Sequence, residues 1–233
     1  MKVIVTGASQ GIGKGIASVL AREGFQVGLT ARSLDLLQQL QSQIQADSGQ
    51  CAIASGNLRD PISTQDAIHR LIDRLEGVDA LINNAGLVIR KDIFTLSLDE
   101  WHAMIETNVN GLFYATRAVL PHMKKQGHGH IINISSISGR VPLPGGSGYA
   151  ATKYAVTGFS ESLMHEVRDE GIKVTTVFPG SVDSDSHRHN PAEDHSWKVK
   201  PEEIGMACCN ILRTNPGTVI SAIEIRPLKK PAK

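Results

Sequence analysis

Val3-Ile4-Val5-Thr6-Gly7-Ala8-Ser9-Gln10-Gly11-Ile12-Gly13 is a branched apolar run that breaks into a glycine-rich turn, after which Ile12, Ile16, Val19 and Leu20 recur on one helical face. The run reads as a strand from Lys2 to Thr6, and the recurrence has the period of a helix packed on a sheet. Glycine at Gly7, Gly11 and Gly13 lets the strand turn sharply and brings backbone N–H groups close to a pyrophosphate at the helix N-terminus. The spacing Gly-x-x-x-Gly-x-Gly differs from the dinucleotide fingerprint Gly-x-Gly-x-x-Gly, and a glycine-rich turn alone also serves as a plain tight connection. Its place at the end of a first strand, inside a βαβ unit, favours the nucleotide reading. Gly13-Lys14-Gly15 lacks the hydroxyl residue that follows lysine in an ATP-type phosphate loop.

Further along, short branched runs alternate with segments of helical period. The runs are Gln26 to Thr30, Cys51 to Ser55, Ala80 to Asn83, Ile131 to Ser135, Val174 to Phe178 and Val219 to Ile225. Between them, Leu34, Leu37, Leu40 and Ile44 share one helical face, as do Ile68, Leu71, Ile72 and Leu75. This alternation predicts an α/β fold with a mainly parallel seven-stranded sheet. Ser97-Leu98-Asp99-Glu100 fits a capping box that starts a long helix running toward Met123, and Pro201 with Glu202 and Glu203 marks another helix start. The 233 residues suffice for one large core, so a single domain over 1–233 is expected. Residues 181–200 lack clear periodicity and read as a lid or substrate loop, and 227–233 as a flexible basic tail.

With 24 basic against 23 acidic residues there is no global field to attract nucleic acid or an anionic membrane, and no segment approaches the length of a membrane span. The first strand begins almost at Met1, which leaves no room for a signal peptide and predicts a cytoplasmic protein. Cys51, Cys208 and Cys209 lack zinc-site spacing and read as reduced packing residues.

The tip of the second strand meets the adenosine ribose in such folds, where an acid bonds the 2′-hydroxyl and an arginine accommodates a 2′-phosphate. The chain there reads Leu29-Thr30-Ala31-Arg32-Ser33, which favours NADP(H) over NAD(H) with Arg32 on the phosphate. Tyr149 and Lys153 are four apart, hence on one helical face, thirteen residues after Ser136. A nearby ammonium stabilises phenolate, so this tyrosine can exchange a proton with an alcohol or carbonyl near neutral pH. Ser136 would donate a hydrogen bond to the same oxygen.

Taken together, these motifs resemble the short-chain dehydrogenase/reductase family in its classical form, over nearly all residues from Thr6 to Ile225. The resemblance implies a Rossmann-type doubly wound sheet of order 3-2-1-4-5-6-7 with helices on both faces. In that family Thr-Gly-x-x-x-Gly-x-Gly binds cofactor, which makes Gly7, Ser9, Gln10, Gly11, Ile12 and Gly13 candidate contacts. Asn83-Asn84-Ala85-Gly86 matches the motif that shapes the central sheet, with Asn84, Ala85 and Gly86 beside the cofactor. Asn108 matches the asparagine of the fourth helix that holds a water linking the lysine to solvent. Ser136, Tyr149 and Lys153 match the catalytic serine and the Tyr-x-x-x-Lys pair, both members of which also contact the cofactor, the lysine through the ribose hydroxyls. Pro179, Gly180 and Val182 belong to a Pro-Gly-x-Val-x-Thr-like segment beside nicotinamide, with Ser184 in place of the threonine.

There are departures from the pattern. Gln10 stands where NADP-preferring relatives often carry arginine or lysine, and Asn57-Leu58 where Asp-Val usually meets the adenine; both residues stay candidate contacts. The C-terminus lacks the glycine-rich ending of ketoacyl-carrier-protein reductases. The expected activity is therefore NADP(H)-dependent interconversion of a small carbonyl compound and its alcohol. A 3-oxoacyl thioester reductase and a noncatalytic NADP(H)-sensing protein are the alternatives. By the same resemblance the fourth and fifth helices pair across subunits, most often in a homotetramer, otherwise a dimer; Ala115, Ala118, Val119, Ala155, Gly158 and Phe159 offer small and apolar surface there. His187, His189 and His195 among acids are suitable in type for a metal, but the polar loop is the simpler account and no metal is expected. Arg188 and Arg140 suit an anionic substrate, and Trp197 either closes over a bound group or packs the loop.

Overall fold

The computed structural model describes residues 1–142, 144–184 and 194–229. Strand and helix alternate in chain order as β1 (Lys2–Thr6), α1 (Gly11–Arg22), β2 (Gln26–Ala31), α2 (Leu34–Ala46), β3 (Gln50–Ser55), α3 (Pro61–Leu75) and β4 (Ala80–Asn83). The second half adds α4 (Leu98–Ile105), α5 (Gly111–Gln126), β5 (Gly129–Ile134), α6 (Ser147–Val167), β6 (Ile172–Pro179), α7 (Pro201–Leu212) and β7 (Ala222–Ile225). The seven strands form one sheet in the order β3-β2-β1-β4-β5-β6-β7, every pair parallel. This is the expected Rossmann-type, doubly wound arrangement. The chain winds outward from β1 to β3, returns to β4 on the other side of β1, and so opens a crevice at the strand carboxyl ends between β1 and β4.

Alternation along each strand sends neighbouring side chains to opposite faces. Val3 and Val5 of β1 join Ile16, Leu20, Leu37, Leu40, Ile204 and Cys208 under α1, α2 and α7. Ile4 joins Ile68, Leu71, Val119, Met123, Ile131 and Leu163 under α3, α5 and α6. Full burial of one such side chain contributes about 1.5–3 kcal/mol, whereas exposed ion pairs such as Lys124–Glu170 contribute about 0–1 kcal/mol. The two apolar layers therefore hold the sheet between its helices.

Local signals act where they were read. Ser97 Oγ accepts from Glu100 N, and Glu100 Oε2 accepts from Ser97 N at 3.0 Å, closing the capping box of α4. Between α4 and α5, Glu106–Asn110 widen into a π turn in which Gly111 N reaches Glu106 O. Such a turn offsets the helix by one residue and is frequent at functional sites; it carries Asn108.

Some expectations shift. Leu34, placed on the inner face of α2, is 44% exposed, because it opens the helix one turn ahead of Leu37, where contact with the sheet begins. The last strand pairs only over Ala222–Ile225, opposite Thr176–Pro179, so Val219 to Ser221 precede it. Ala115, Ala118 and Val119 belong to the inner layer and are not surface. The exposed side of the same two helices carries Phe113, Tyr154, Ala155 and Gly158, with Phe113 edge-on to Phe159. Among the described residues, no helix is long and apolar enough to cross a membrane. Of the basic tail, residues 230–233 lie outside the described residues.

Candidate active site

The turn after β1 is stitched to the end of β4. Thr6 Oγ1 accepts from the backbone N–H groups of Asn84 and Ala85 at 3.1 Å each, and Asn84 Nδ2 donates to the carbonyls of Thr6 at 3.0 Å and Gly7 at 3.1 Å. Gly7 has φ +63°, which only glycine adopts readily, and a Cβ at Gly13 would overlap the Gly7 carbonyl oxygen and Asn84 Nδ2. α1 then starts at Gly11 behind Gln10, with no side-chain cap. Its first N–H groups stay available, and the helix dipole adds positive potential there, a combination suited to a pyrophosphate. Ser9, Gln10, Gly11 and Ile12 are all at least partly exposed at this turn.

Arg32 stands immediately beyond β2, next to this turn, since Thr6 pairs in register with Thr30 and Ala8 N donates to Thr30 O. It is exposed and takes part in no ion pair among the described residues, while Ser33 beside it caps α2. At the end of β3, Asn57 Oδ1 accepts from Arg59 N at 3.2 Å, which leaves its NH2 group for a partner; Leu58 is buried beneath.

On the other side of the crevice, Ser136 follows β5 and opens the short turn Ile137–Gly139. Its Oγ accepts from Ser138 N at 3.1 Å, so its own proton remains to be donated. Tyr149 and Lys153 lie one turn apart on α6, only 7% and 5% exposed. Lys153 Nζ donates to Ile134 O at 2.8 Å and sits 5.9 Å from the centre of the Tyr149 ring. Burial pushes the Lys153 ammonium down to about 8, because the apolar surroundings disfavour its charged form. Asn108 Oδ1 accepts from Leu87 N at 2.6 Å, and its Nδ2 donates to Leu87 O at 2.9 Å and to Thr152 Oγ1 at 3.0 Å. Thr152 Oγ1 in turn donates to Tyr149 O. A Cβ at Gly86 would stand 3.5 Å from Asn108 Oδ1 and 3.7 Å from Lys153 Nζ, so the β4 end, the π turn and α6 converge at one point.

Past β6, Gly180 N donates to Ile225 O, and Val182 pairs with Val199. Residues 185–193 of the expected lid, with His187, Arg188 and His189, lie outside the described residues. Among the described residues no group of three His, Cys, Asp or Glu is gathered for a metal. Arg140, a candidate to favour an anionic substrate, lies 3.8 Å over the Phe178 ring and 3.7 Å from Glu224. Trp197 Nε1 donates to Asp194 O, within its own loop.

Thr152 and Gly139 belong to none of the sequence motifs named above. A hydroxyl on the inward side of α6 between Tyr149 and Lys153 was the available signal for Thr152. A Cβ at Gly139 would stand 2.6 Å from Ser135 Oγ and 2.7 Å from the Lys153 carbonyl oxygen, closer than packing tolerates. Gly139→Ala is therefore expected to push α6 from the β5 end and lower turnover by about tenfold or more, as small misplacements of reacting groups do. A folded variant of undiminished turnover, measured at saturating cofactor, would contradict that contact.

The glycine turn after β1, Arg32 beyond β2 and the buried Tyr149–Lys153 pair surround one switch-point crevice, where Rossmann-type folds take a dinucleotide. The chain belongs to the short-chain dehydrogenase family, in its classical form: the family pattern for short chain dehydrogenase matches residues 1–195. It is similar to an alcohol dehydrogenase of the archaeon Thermococcus sibiricus solved in complex with 5-hydroxy-NADP, with 30% identity, TM-score 0.92 and 100% of both chains covered. Serine dehydrogenase of Escherichia coli matches at 32% identity and TM-score 0.87, again over 100% of both chains. An uncharacterised oxidoreductase of Staphylococcus saprophyticus is 33% identical over 97% of this chain and 95% of its own.

Proposed function

We propose that this protein is an NADP(H)-dependent oxidoreductase that interconverts a small carbonyl compound and its alcohol, with Tyr149 as the acid/base. The observation that carries the reading is the buried Lys153 beside Tyr149, at the point where Gly86 and Asn108 meet. The cofactor fits the residues present: an uncapped helix start behind a positive-φ glycine for the pyrophosphate, and an exposed arginine outside any described ion pair for the 2′-phosphate. Similar solved structures hold 5-hydroxy-NADP, NADP+ or NADP. Gly7, Ser9, Gln10, Gly11, Ile12 and Gly13 would hold the pyrophosphate side, Arg32, Asn57 and Leu58 the adenosine, and Asn84, Ala85, Gly86, Pro179, Gly180 and Val182 the nicotinamide half.

When bound, the cofactor supplies or accepts the hydride. In reduction, Ser136 Oγ donates a hydrogen bond to the substrate oxygen and Tyr149 gives its phenolic proton to that oxygen as negative charge develops. The Lys153 ammonium stabilises the resulting phenolate and would hold the ribose hydroxyls of a bound cofactor. Asn108 and Thr152 hold the π turn to α6 and fix the spacing of the set. Alcohol oxidation reverses these proton movements.

A screen of aldehydes, ketones, hydroxy acids and acetoacetyl thioesters with NADPH, and of alcohols with NADP+, tests the reading through the absorbance of reduced nicotinamide. Turnover of free carbonyls or hydroxy acids above the thioester is expected; thioester preference would replace the substrate class, and cofactor binding with no turnover would replace the enzyme by a sensor. Arg32→Ala is expected to weaken NADPH by about 10- to 100-fold, the range for a hydrogen bond between charged groups, with little change for NADH. Equal losses would remove Arg32 from the 2′-phosphate.

The assembly we infer is a homotetramer whose contacts include the exposed Phe113, Tyr154 and Gly158 side of α5 and α6, within a cytoplasm that keeps the three free cysteines reduced. Light scattering that returns a monomer at all concentrations would overturn it.

A further inference from the structure

The strip that follows β6 is clasped to the start of α7 by one carboxylate. Asp183 Oδ2 accepts from Lys200 Nζ at 2.7 Å, and its Oδ1 meets His195 Nδ1 at 3.2 Å. The backbones are laced at the same level: Asp183 N donates to Val199 O at 2.8 Å and Val199 N to Ser181 O at 3.1 Å. Lys200 foremost, and His195 after it, hold the Asp183 carboxyl below the usual carboxylate range, which keeps the clasp charged.

Both ends of the clasp are anchored at the phosphate-binding helix. Lys200 precedes Pro201, and α7 rides so close on α1 that a Cβ at Gly15 would stand 2.5 Å from Pro201 Cβ, and one at Gly205 would stand 2.9 Å from Val19 Cβ. Lys200 is thereby fixed relative to α1. At the other end, Ser184 Cβ lies 3.4 Å from the place a Cβ would occupy on Gly11, the first residue of α1. Ser184, at the end of the strip, thus lies beside the first residue of the uncapped helix start.

We propose that Asp183 is a positioning residue for the cofactor: by tying the strip to Lys200 and His195 it keeps Ser184 beside the N-terminal turn of α1 and sets how fast NADP(H) leaves. The proposal rests on the NADP(H)-binding reading above. It assigns Asp183 to retention and not to chemistry, since its carboxylate is turned to α7 and the Lys153 side of the crevice is held by other groups.

Stopped-flow displacement of NADPH from the full chain tests it, with Asp183→Asn, Lys200→Met and the double variant. Lys200→Met removes one partly exposed partner and is expected to speed release about threefold. Asp183→Asn weakens both bonds and is expected to speed release about tenfold. The double variant should release no faster than Asp183→Asn, because both changes break the same tie. Association rates and the melting temperature of the cofactor-free protein should stay near wild type, which separates the clasp from general loosening of the fold. Unchanged release in Asp183→Asn, or single effects that multiply in the double variant, would overturn the proposal. Should Asp183→Asn fail to fold, Lys200→Met decides alone, faster release supporting the clasp and unchanged release overturning it. A wild-type protein that does not bind NADPH would instead overturn the underlying reading, and the clasp with it.

Discussion

Replacing Tyr149 by phenylalanine is expected to lower turnover by about two to four orders of magnitude, the usual worth of a positioned general acid or base. The substitution removes a single hydroxyl from a ring that is 7% exposed, so packing of α6 against the crevice is preserved. Affinity for NADPH should consequently stay close to wild type, because the cradle at Gly7–Gly13 lies on another element. Steady-state rates beside a cofactor titration check both halves of the expectation. Retained turnover would remove Tyr149 from proton transfer, and a parallel loss of cofactor binding would make it a binding residue.

Lys153→Met is expected to be the second large effect, and to act in opposite directions on activity and stability. Turnover should fall by about a hundredfold or more, since the charge that favours phenolate is gone. Stability of the cofactor-free protein should rise at neutral pH. The lysine is buried, and its pKa is pushed down from 10.5 to about 8 by desolvation, so folding carries a penalty of roughly 3 kcal/mol for keeping it charged. Methionine fills similar space without that penalty; losing the charged donor to Ile134 O offsets part of the gain, about 1.5 kcal/mol or more.

The sign of the pH dependence follows from proton counts. Below about 8 the lysine is protonated in both folded and unfolded chains, and the wild type bears the full penalty. Between there and 10.5 the unfolded chain binds more protons, so wild-type stability rises with pH relative to the variant. Melting curves of both proteins at neutral pH and at about pH 10 should show the variant's advantage shrinking. An advantage that grows with pH, or a variant less stable at neutral pH, would contradict a desolvated Lys153.

The parts of the fold and site that could be read from sequence are those fixed by local rules. Gly7 to Gly13 announces a strand, a turn and a helix within a dozen residues, and Tyr149 with Lys153 shares a face through helical period alone. The parallel order followed from the family pattern, and the observed sheet matches it. What stayed hidden depends on partners far along the chain. Arg140 is held by Phe178 and Glu224, which no local pattern connects to it. The inward turn of Ala115, Ala118 and Val119 was decided by packing beneath the sheet, since small residues suit a buried layer and a subunit contact equally. Gly139 matters only because α6 passes within van der Waals reach, and the tie from Asp183 to Lys200 exists only because α7 is seated on α1.

Fluorescence titration of the purified protein with NADPH and with NADH tests whether the crevice between β1 and β4 is an NADP(H) site. Saturable binding of both is expected, with NADPH clearly the tighter, if Arg32 meets the 2′-phosphate as proposed. Tighter binding of NADH, or no binding of either, would contradict it.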